Sequence, residues 1–395
     1  MAPLTRTEAT GLSAGRDGVG TIEDLHAWAS GATGLTDFGD DTYLDGLGVL
    51  LESYARDAAL TPPGARAARA MLRGALTARL RCEEAWRRHP EHAAVPVERP
   101  IFVTGLPRTG TTALHRLLTA DPGNQGLELW LTDAPRPRPP RETWAGDPEY
   151  RAAQAAYERH HVRHPEFMGV HYMSADMVEE CWRLLQQSMR SVSFECLAHI
   201  PAYSAWLAAQ DWRPAYERHR RILQLVGLGD PGRRWVLKNP SHLFALDAIM
   251  DVYPGALVVQ THRDPVTAMA SMCSLAAQAT AGWSEAFTGA VIGRDQLGLW
   301  SRGLGRFRAA RARHDPARFF DVRYEEFVHD PLGTAEAVYA RFGLPLGDAA
   351  RAAMARLHEE SRSGEARPSH RYELSGFGLT PEEVEDRFAG VGSSR

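Results

Sequence analysis

The chain reads as an α/β fold with a central parallel sheet flanked by helices, and three observations carry that reading. Four short apolar runs have the form of strands buried on both faces: Ile101-Phe102-Val103-Thr104, Trp235-Val236-Leu237, Leu257-Val258-Val259-Gln260-Thr261 and Phe319-Phe320-Asp321-Val322. Each run is followed by a helical pattern, and strands alternating with helices build a parallel sheet. A polar or glycine-rich cluster follows each run, where ligands of such sheets bind, outside the carboxyl ends of the strands.

Residues 1–20 are polar and glycine-rich and are expected to be a flexible N-terminus. Residues 21–95 form an N-terminal helical region of about three helices. Tyr43, Leu47, Leu50, Leu51 and Tyr54 recur at helical spacing, and Ala67 to Trp86 is a second amphipathic stretch after Pro62-Pro63-Gly64. Residues 96–395 form the α/β domain. Its glycine-rich turn follows the first run and precedes a helix from Thr112 to Ala120. Pro135–Pro140 is a stiff connection. Residues 140–230, rich in Trp, His and Arg, read as a helical insertion covering the site.

The 395 residues are 44% hydrophobic and 24% charged, enough for a sizeable core. The formal net charge of −4 gives no general basic field for nucleic acid, so any anion site must be local. Cys82, Cys181, Cys196 and Cys273 form no CxxC pair, which excludes a disulfide framework and a zinc pattern. No apolar run approaches the ~18–20 residues of a membrane span, and the first residues lack a signal segment; the expected location is cytoplasmic. Among 45 Lys and Arg residues there is one lysine, Lys238. A coding bias explains the arginines but not the exception, because a compact ammonium and a forked guanidinium are not interchangeable.

The strongest motif is Gly105-Leu-Pro-Arg108-Thr109-Gly110-Thr111-Thr112. Backbone N–H groups of such a loop, with the helix start, cradle a phosphate. It departs from GxxxxGK[ST]: Thr111 stands at the lysine position and Arg108 lies inside the loop. Two classes fit, a nucleotide kinase or NTPase and a transferase moving a group from a nucleotide without metal. An NTPase needs a strand-end acid for Mg²⁺. Here the neighbouring strand ends offer Lys238 and Arg263, while Asp264 before Pro265 reads as a helix N-cap.

These residues resemble those of the PAPS-dependent sulfotransferases, in their large bacterial branch. Pro107-Arg108-Thr109-Gly110-Thr111-Thr112 is similar to the family's 5′-phosphosulfate loop, and Arg263-Asp264-Pro265…Ser271 to its 3′-phosphate site. Val322-Arg323-Tyr324-Glu325-Glu326-Phe327 resembles a later strand and turn whose tyrosine lies near the adenine. Thr33-Gly34-Leu35-Thr36-Asp37, Leu237-Lys238-Asn239-Pro240-Ser241-His242 and the tail His370-Arg371-Tyr372…Phe377-Gly378-Leu379 extend the likeness over most of the chain. The resemblance implies a P-loop-like fold, PAPS as donor, PAP as product and no metal requirement. It places Arg108, Thr109, Gly110, Thr111, Thr112, Arg263, Ser271 and Tyr324 around the nucleotide.

Sulfuryl transfer needs a base for the acceptor, cations for the leaving phosphate and exclusion of water. Lys238 and Arg108, at strand ends, are the candidate cations. Glu128, in Gly126-Leu-Glu-Leu-Trp130, and His242 are the candidate bases, with Glu128 preferred and His242 touching acceptor or sulfuryl oxygens. His160, His161, His164 and His171 lack an HExxH pattern and read as a polar helix face or pocket wall. Trp182, Trp206, Trp212, Phe167, Tyr172 and Tyr203 hint at an apolar or aromatic small-molecule acceptor, although most suit helix packing. The competing readings are a P-loop nucleotide-dependent kinase and a non-catalytic nucleotide-binding protein.

Overall fold

The computed structural model of the chain describes residues 18–163, 173–363 and 373–390. Five parallel strands form one sheet in the order β2-β3-β1-β4-β5, with β1 Ile101–Gly105, β2 Asn124–Gln125, β3 Arg234–Lys238, β4 Leu257–His262 and β5 Phe319–Arg323. Four of these are the expected runs. The fifth, β2, has only two residues and no apolar pattern; it joins the edge through Asn124 opposite Arg234 and Gln125 opposite Trp235. Such a strand is specified by its neighbour rather than by its own residues.

Alternation along β1 separates two cores, as the two-residue repeat of a strand requires. Ile101 and Val103 pack with Val236, Val259 and Val322 against Leu114, Leu117 and Leu118 of the helix Thr111–Thr119. Phe102 faces the other way, into a larger core shared with the N-terminal helices Ile22–Thr33, Leu44–Arg56 and Pro62–Arg88 and with the segment before β3. Pro62 and Pro63 do not precede the third helix as a break. They open it, in a first turn that has no use for their missing N–H groups, and Thr61 caps it by accepting from Gly64 N.

The register sets the site. Val103 lies opposite Lys238 and Gly105 opposite Thr261, so β1, β3 and β4 end at one level. The chain leaves β1 for β2 and β3 on one side, then crosses to β4 and β5 on the other. Strand order therefore reverses at the carboxyl end of β1, the place where open parallel sheets take their ligands. Among the described residues, no helix is long and apolar enough to cross a membrane.

Two buried polar devices hold the Phe102 side together. Arg79, 1% exposed, donates to Phe38 O (2.6 Å), Asp40 O (2.7 Å) and Gln187 O (3.0 Å), and its guanidinium covers the Tyr43 ring at 4.1 Å. It ties the third helix to the preceding loop and to the insertion. Next to Phe102, His242 and His219 are fully buried, and His115 lies buried under β3, donating to Val236 O (3.0 Å). Burial pushes the His219 imidazole down to about 3; burial and the Lys238 charge push His115 down to about 3.

Arg79→Met is expected to leave three carbonyls without a donor and to lower unfolding free energy by about 3 kcal/mol, read from urea midpoints. The depressed histidines favour the neutral form in the folded chain, whereas the unfolded chain takes up their protons below about pH 6.5. Their stabilisation is complete above that pH and is lost as pH falls towards about 3, by up to about 1.4 kcal/mol per pH unit for each histidine. Urea midpoints should fall between pH 7 and pH 5, with a shallower fall in His219→Gln.

Candidate active site

The phosphate loop begins where β1 stops. Gly105 has φ of 150°, and a Cβ there would lie 2.4 Å from Thr261 Oγ1, so only glycine lets β4 close on the loop. The Thr109 hydroxyl donates to Leu106 O (2.7 Å) and meets the Thr261 hydroxyl at 2.5 Å, which fixes the loop to β4. Arg108 and Gly110 both take left-handed backbone, at φ of 70° and 88°. Gly110 is the N-cap of the helix Thr111–Thr119, and no side chain caps that helix start. Its first N–H groups are therefore left for an anion, with the positive end of the helix dipole behind them.

One side of the loop gathers the residues expected around the nucleotide. Arg108 Nε donates to Ser271 Oγ (3.1 Å), and Arg263 Nη1 donates to Arg108 O (2.9 Å). Ser271 lies in the helix Pro265–Ala279, which Asp264 caps by accepting from Thr267 N (2.8 Å), as its place before Pro265 suggests. The Arg263 guanidinium lies over the Tyr324 ring at 4.0 Å. That ring rests against Gly110, where a Cβ would be 3.1 Å from Tyr324 Cδ2. Arg108, Gly110, Arg263, Ser271 and Tyr324 thus form one connected group.

Lys238 stands on the other side. It is the last residue of β3 and is 1% exposed. Its Nζ donates to Thr112 Oγ1 (3.0 Å), in the first turn after the loop, and to a carboxylate oxygen of Glu180. Sequence reasoning missed Glu180. It arrives on a segment that pairs antiparallel with 127–130: Leu129 N donates to Met177 O (2.9 Å), Trp130 N to Ala175 O (3.1 Å) and Glu179 N to Leu127 O (2.9 Å). Cys181 N then donates to Lys238 O (3.1 Å), landing the segment on the end of β3. The signal was an adjacent Glu-Glu pair inside an arginine-rich insertion, with no spacing to link it to the lysine 58 residues later.

The two expected bases have partners of their own. Glu128 accepts from Arg138 Nε (3.0 Å); the same guanidinium donates to Gln125 Oε1 (2.5 Å) and Gly126 O (2.6 Å). Arg138 comes from the proline tract, which is more than a connection because it clamps 125–128 in place. His242 is 1% exposed, its ring edge-on to Phe102 at 5.0 Å and its Nδ1 2.7 Å from the Tyr216 hydroxyl. Burial, with His219 and Lys238 nearby, holds its pKa well below the ordinary histidine value. Its Nε2 has no hydrogen-bond partner among the described residues.

Of the histidine cluster, His160 and His161 lie on the helix Pro148–Arg163, and His161 Nε2 reaches Met173 O (2.8 Å). His164, His171, Phe167 and Tyr172, like His370, Arg371 and Tyr372 of the tail, lie outside the described residues. Tyr203 and Trp212 are buried packing residues; Trp182 and Trp206 are partly exposed.

The chain as a whole has similar solved structures and relatives. The sulfotransferase STF1 from Mycobacterium tuberculosis H37Rv is 55% identical, superposes with a TM-score of 0.89 and covers 95% of this chain and 100% of its own. STF9 from Mycobacterium avium is 28% identical, with a TM-score of 0.85, covering 94% and 95%. The omega-hydroxy-beta-dihydromenaquinone-9 sulfotransferase Stf3 of Mycobacterium bovis is 26% identical over 252 residues, which is 62% of this chain and only 63% of that relative's length. The family model described as Sulfotransferase family matches residues 100–348, from the residue before β1 to the first residue of the helix Asp348–Ser363. With the loop, the strand ends and the match all in register, the chain belongs to the sulfotransferase family.

Proposed function

We propose that the protein moves a sulfuryl group from PAPS to a hydroxyl of a small-molecule acceptor. The observation that carries this reading is the pairing of cations with the phosphate loop. Loops that serve Mg²⁺-dependent phosphoryl transfer work beside a strand-end acid. Here β3 ends on Lys238, touching the loop helix at Thr112, and β4 is followed by Arg263, bonded to the loop at Arg108. Apart from the Glu180 carboxylate on Lys238, the resources at the site are ammonium, guanidinium, hydroxyl and helix N–H groups, all suited to a nucleotide carrying several negative charges.

In this reading the loop amides and hydroxyls from Thr109 to Thr112 take the 5′-phosphosulfate, Arg263 and Ser271 take the 3′-phosphate, and Tyr324 borders the base. Arg108 bridges the two phosphate regions. The acceptor oxygen forms a new bond to sulfur, and the bond from sulfur to the 5′-phosphate oxygen breaks with its electron pair staying on that oxygen. Lys238 stabilises the charge that gathers there. The hydroxyl proton goes to a carboxylate, and geometry favours Glu180 over Glu128. Glu180 meets the cation of the leaving group and keeps 23% of its side chain exposed, whereas the Glu128 carboxylate is 14% exposed and occupied by Arg138. His242, buried against Phe102 of β1 and bonded to Tyr216, is given no part in deprotonating the acceptor. The relative named for a hydroxylated menaquinone makes an apolar alcohol the first acceptor class to test.

PAP should bind the protein with one site in calorimetry, and failure to bind would overturn the reading. Lys238→Met should fold, keep PAP affinity within a few fold and release PAP from PAPS on the order of 100-fold more slowly in single turnover, with water as acceptor.

A further inference from the structure

The sole lysine and the sole carboxylate shown on it form a closed pair at the centre of the site. Lys238 is buried, so its ammonium cannot turn to solvent, and two of its three protons go to Thr112 and Glu180. Closed in this way, both partners are weakened. An ammonium neutralised by a carboxylate stabilises a leaving phosphate poorly, and a carboxylate held against an ammonium through one oxygen is a poorer base than a free one. Opening the pair during turnover strengthens both residues at once.

The geometry also says what can open it. Thr112 lies in the first turn of the uncapped helix, so Nζ sits beside the place where the loop receives a phosphate. A phosphosulfate arriving there brings a competing negative charge to the same ammonium, next to a carboxylate that it repels in a water-poor setting. The segment carrying Glu180 can yield its side chain without moving its backbone, because Glu179 N and Cys181 N are anchored to Leu127 O and Lys238 O. Glu180 is also the more exposed partner of the two, at 23% against 1%, and so the one with room to turn towards an acceptor.

We propose that the Lys238–Glu180 ion pair is a donor-operated latch. It holds base and cation inactive in the free protein, and the phosphosulfate of the bound nucleotide transfers Lys238 to the leaving group and releases Glu180 to the acceptor. The latch rests on the sulfotransferase reading, and it makes acceptor deprotonation conditional on a loaded donor. It also carries a thermodynamic signature. What Lys238 gains from the nucleotide is offset by the pair that must be broken, so removing Glu180 should tighten nucleotide binding while slowing transfer.

A double-mutant cycle on PAP binding separates this from simple charge removal. Calorimetry on the wild type, Glu180→Gln, Lys238→Met and the double variant should show PAP binding about tenfold tighter in Glu180→Gln. In the Lys238→Met background the same substitution should change affinity less than twofold. Glu180→Gln should also lower turnover of PAPS, giving a lower KM together with a lower kcat. Equal tightening in both backgrounds, or unchanged affinity in Glu180→Gln, overturns the latch while leaving the sulfotransferase reading intact. Absence of PAP binding in the wild type overturns both. If Lys238→Met fails to fold, Lys238→Gln closes the cycle.

Discussion

An ammonium at the end of a buried strand must be compensated where it stands, and much of the site follows from meeting that demand. Lys238 has no route to water, because β1 and β2 flank its strand and both faces of the sheet are covered. The carboxylate that meets it comes from far away in the chain. Glu180 is held at the strand end because residues 175–179 lie along 127–130, and those residues are positioned in turn by Arg138 from the proline tract. Removing one partner of such a pair leaves a buried charge uncompensated, which costs far more than the intact pair contributes.

The parts of this architecture that were legible in the sequence are those dictated by local patterns. Strands buried on both faces must be apolar along their length, so β1, β3 and β4 were visible, and the edge strand β5 showed through Phe319, Phe320 and Val322 although Asp321 and Arg323 are exposed; the glycine-rich turn between strand and helix was equally plain. Asp264 before Pro265 announced a helix start, and the loop-to-Arg263 relation followed from two strand ends in one parallel sheet. What stayed hidden was set by tertiary partners. Strand β2 has two residues and takes its conformation from β3. Glu128 and Glu180 are both glutamates near short helices, and no local feature says which carboxylate finds Arg138 and which finds Lys238.

The proline tract shows how a composition-based reading loses information. Its prolines do make a stiff crossing, but Arg138 within it is 5% exposed at its side chain and serves four acceptors, on Gln125, Gly126, Glu128 and Asp230, besides lying over the Trp235 ring at 5.3 Å. Stiff backbone on both sides reduces the entropy lost in fixing that side chain. An arginine so placed acts as a bracket between the edge strand and residues 126–128, along which the Glu180 segment runs. Its chemistry is the same as that of the surface arginines; its neighbours decide its role.

A chain of net charge −4 whose proposed donor is a polyanion has to concentrate its positive charge, and the buried histidines help to keep that concentration local. His115 and His242 lie close enough to Lys238 for its charge to oppose their protonation, and burial already holds them neutral. Around the lysine there is thus one cation rather than three. Its field is set by that single ammonium, instead of being shared with two imidazolium charges. An ammonium surrounded by imidazolium ions would hold any anion, including Glu180, whatever the state of the loop. Surrounded by neutral rings, it answers to whichever negative group is nearest, which is the property a group-transfer site needs at the bond that breaks.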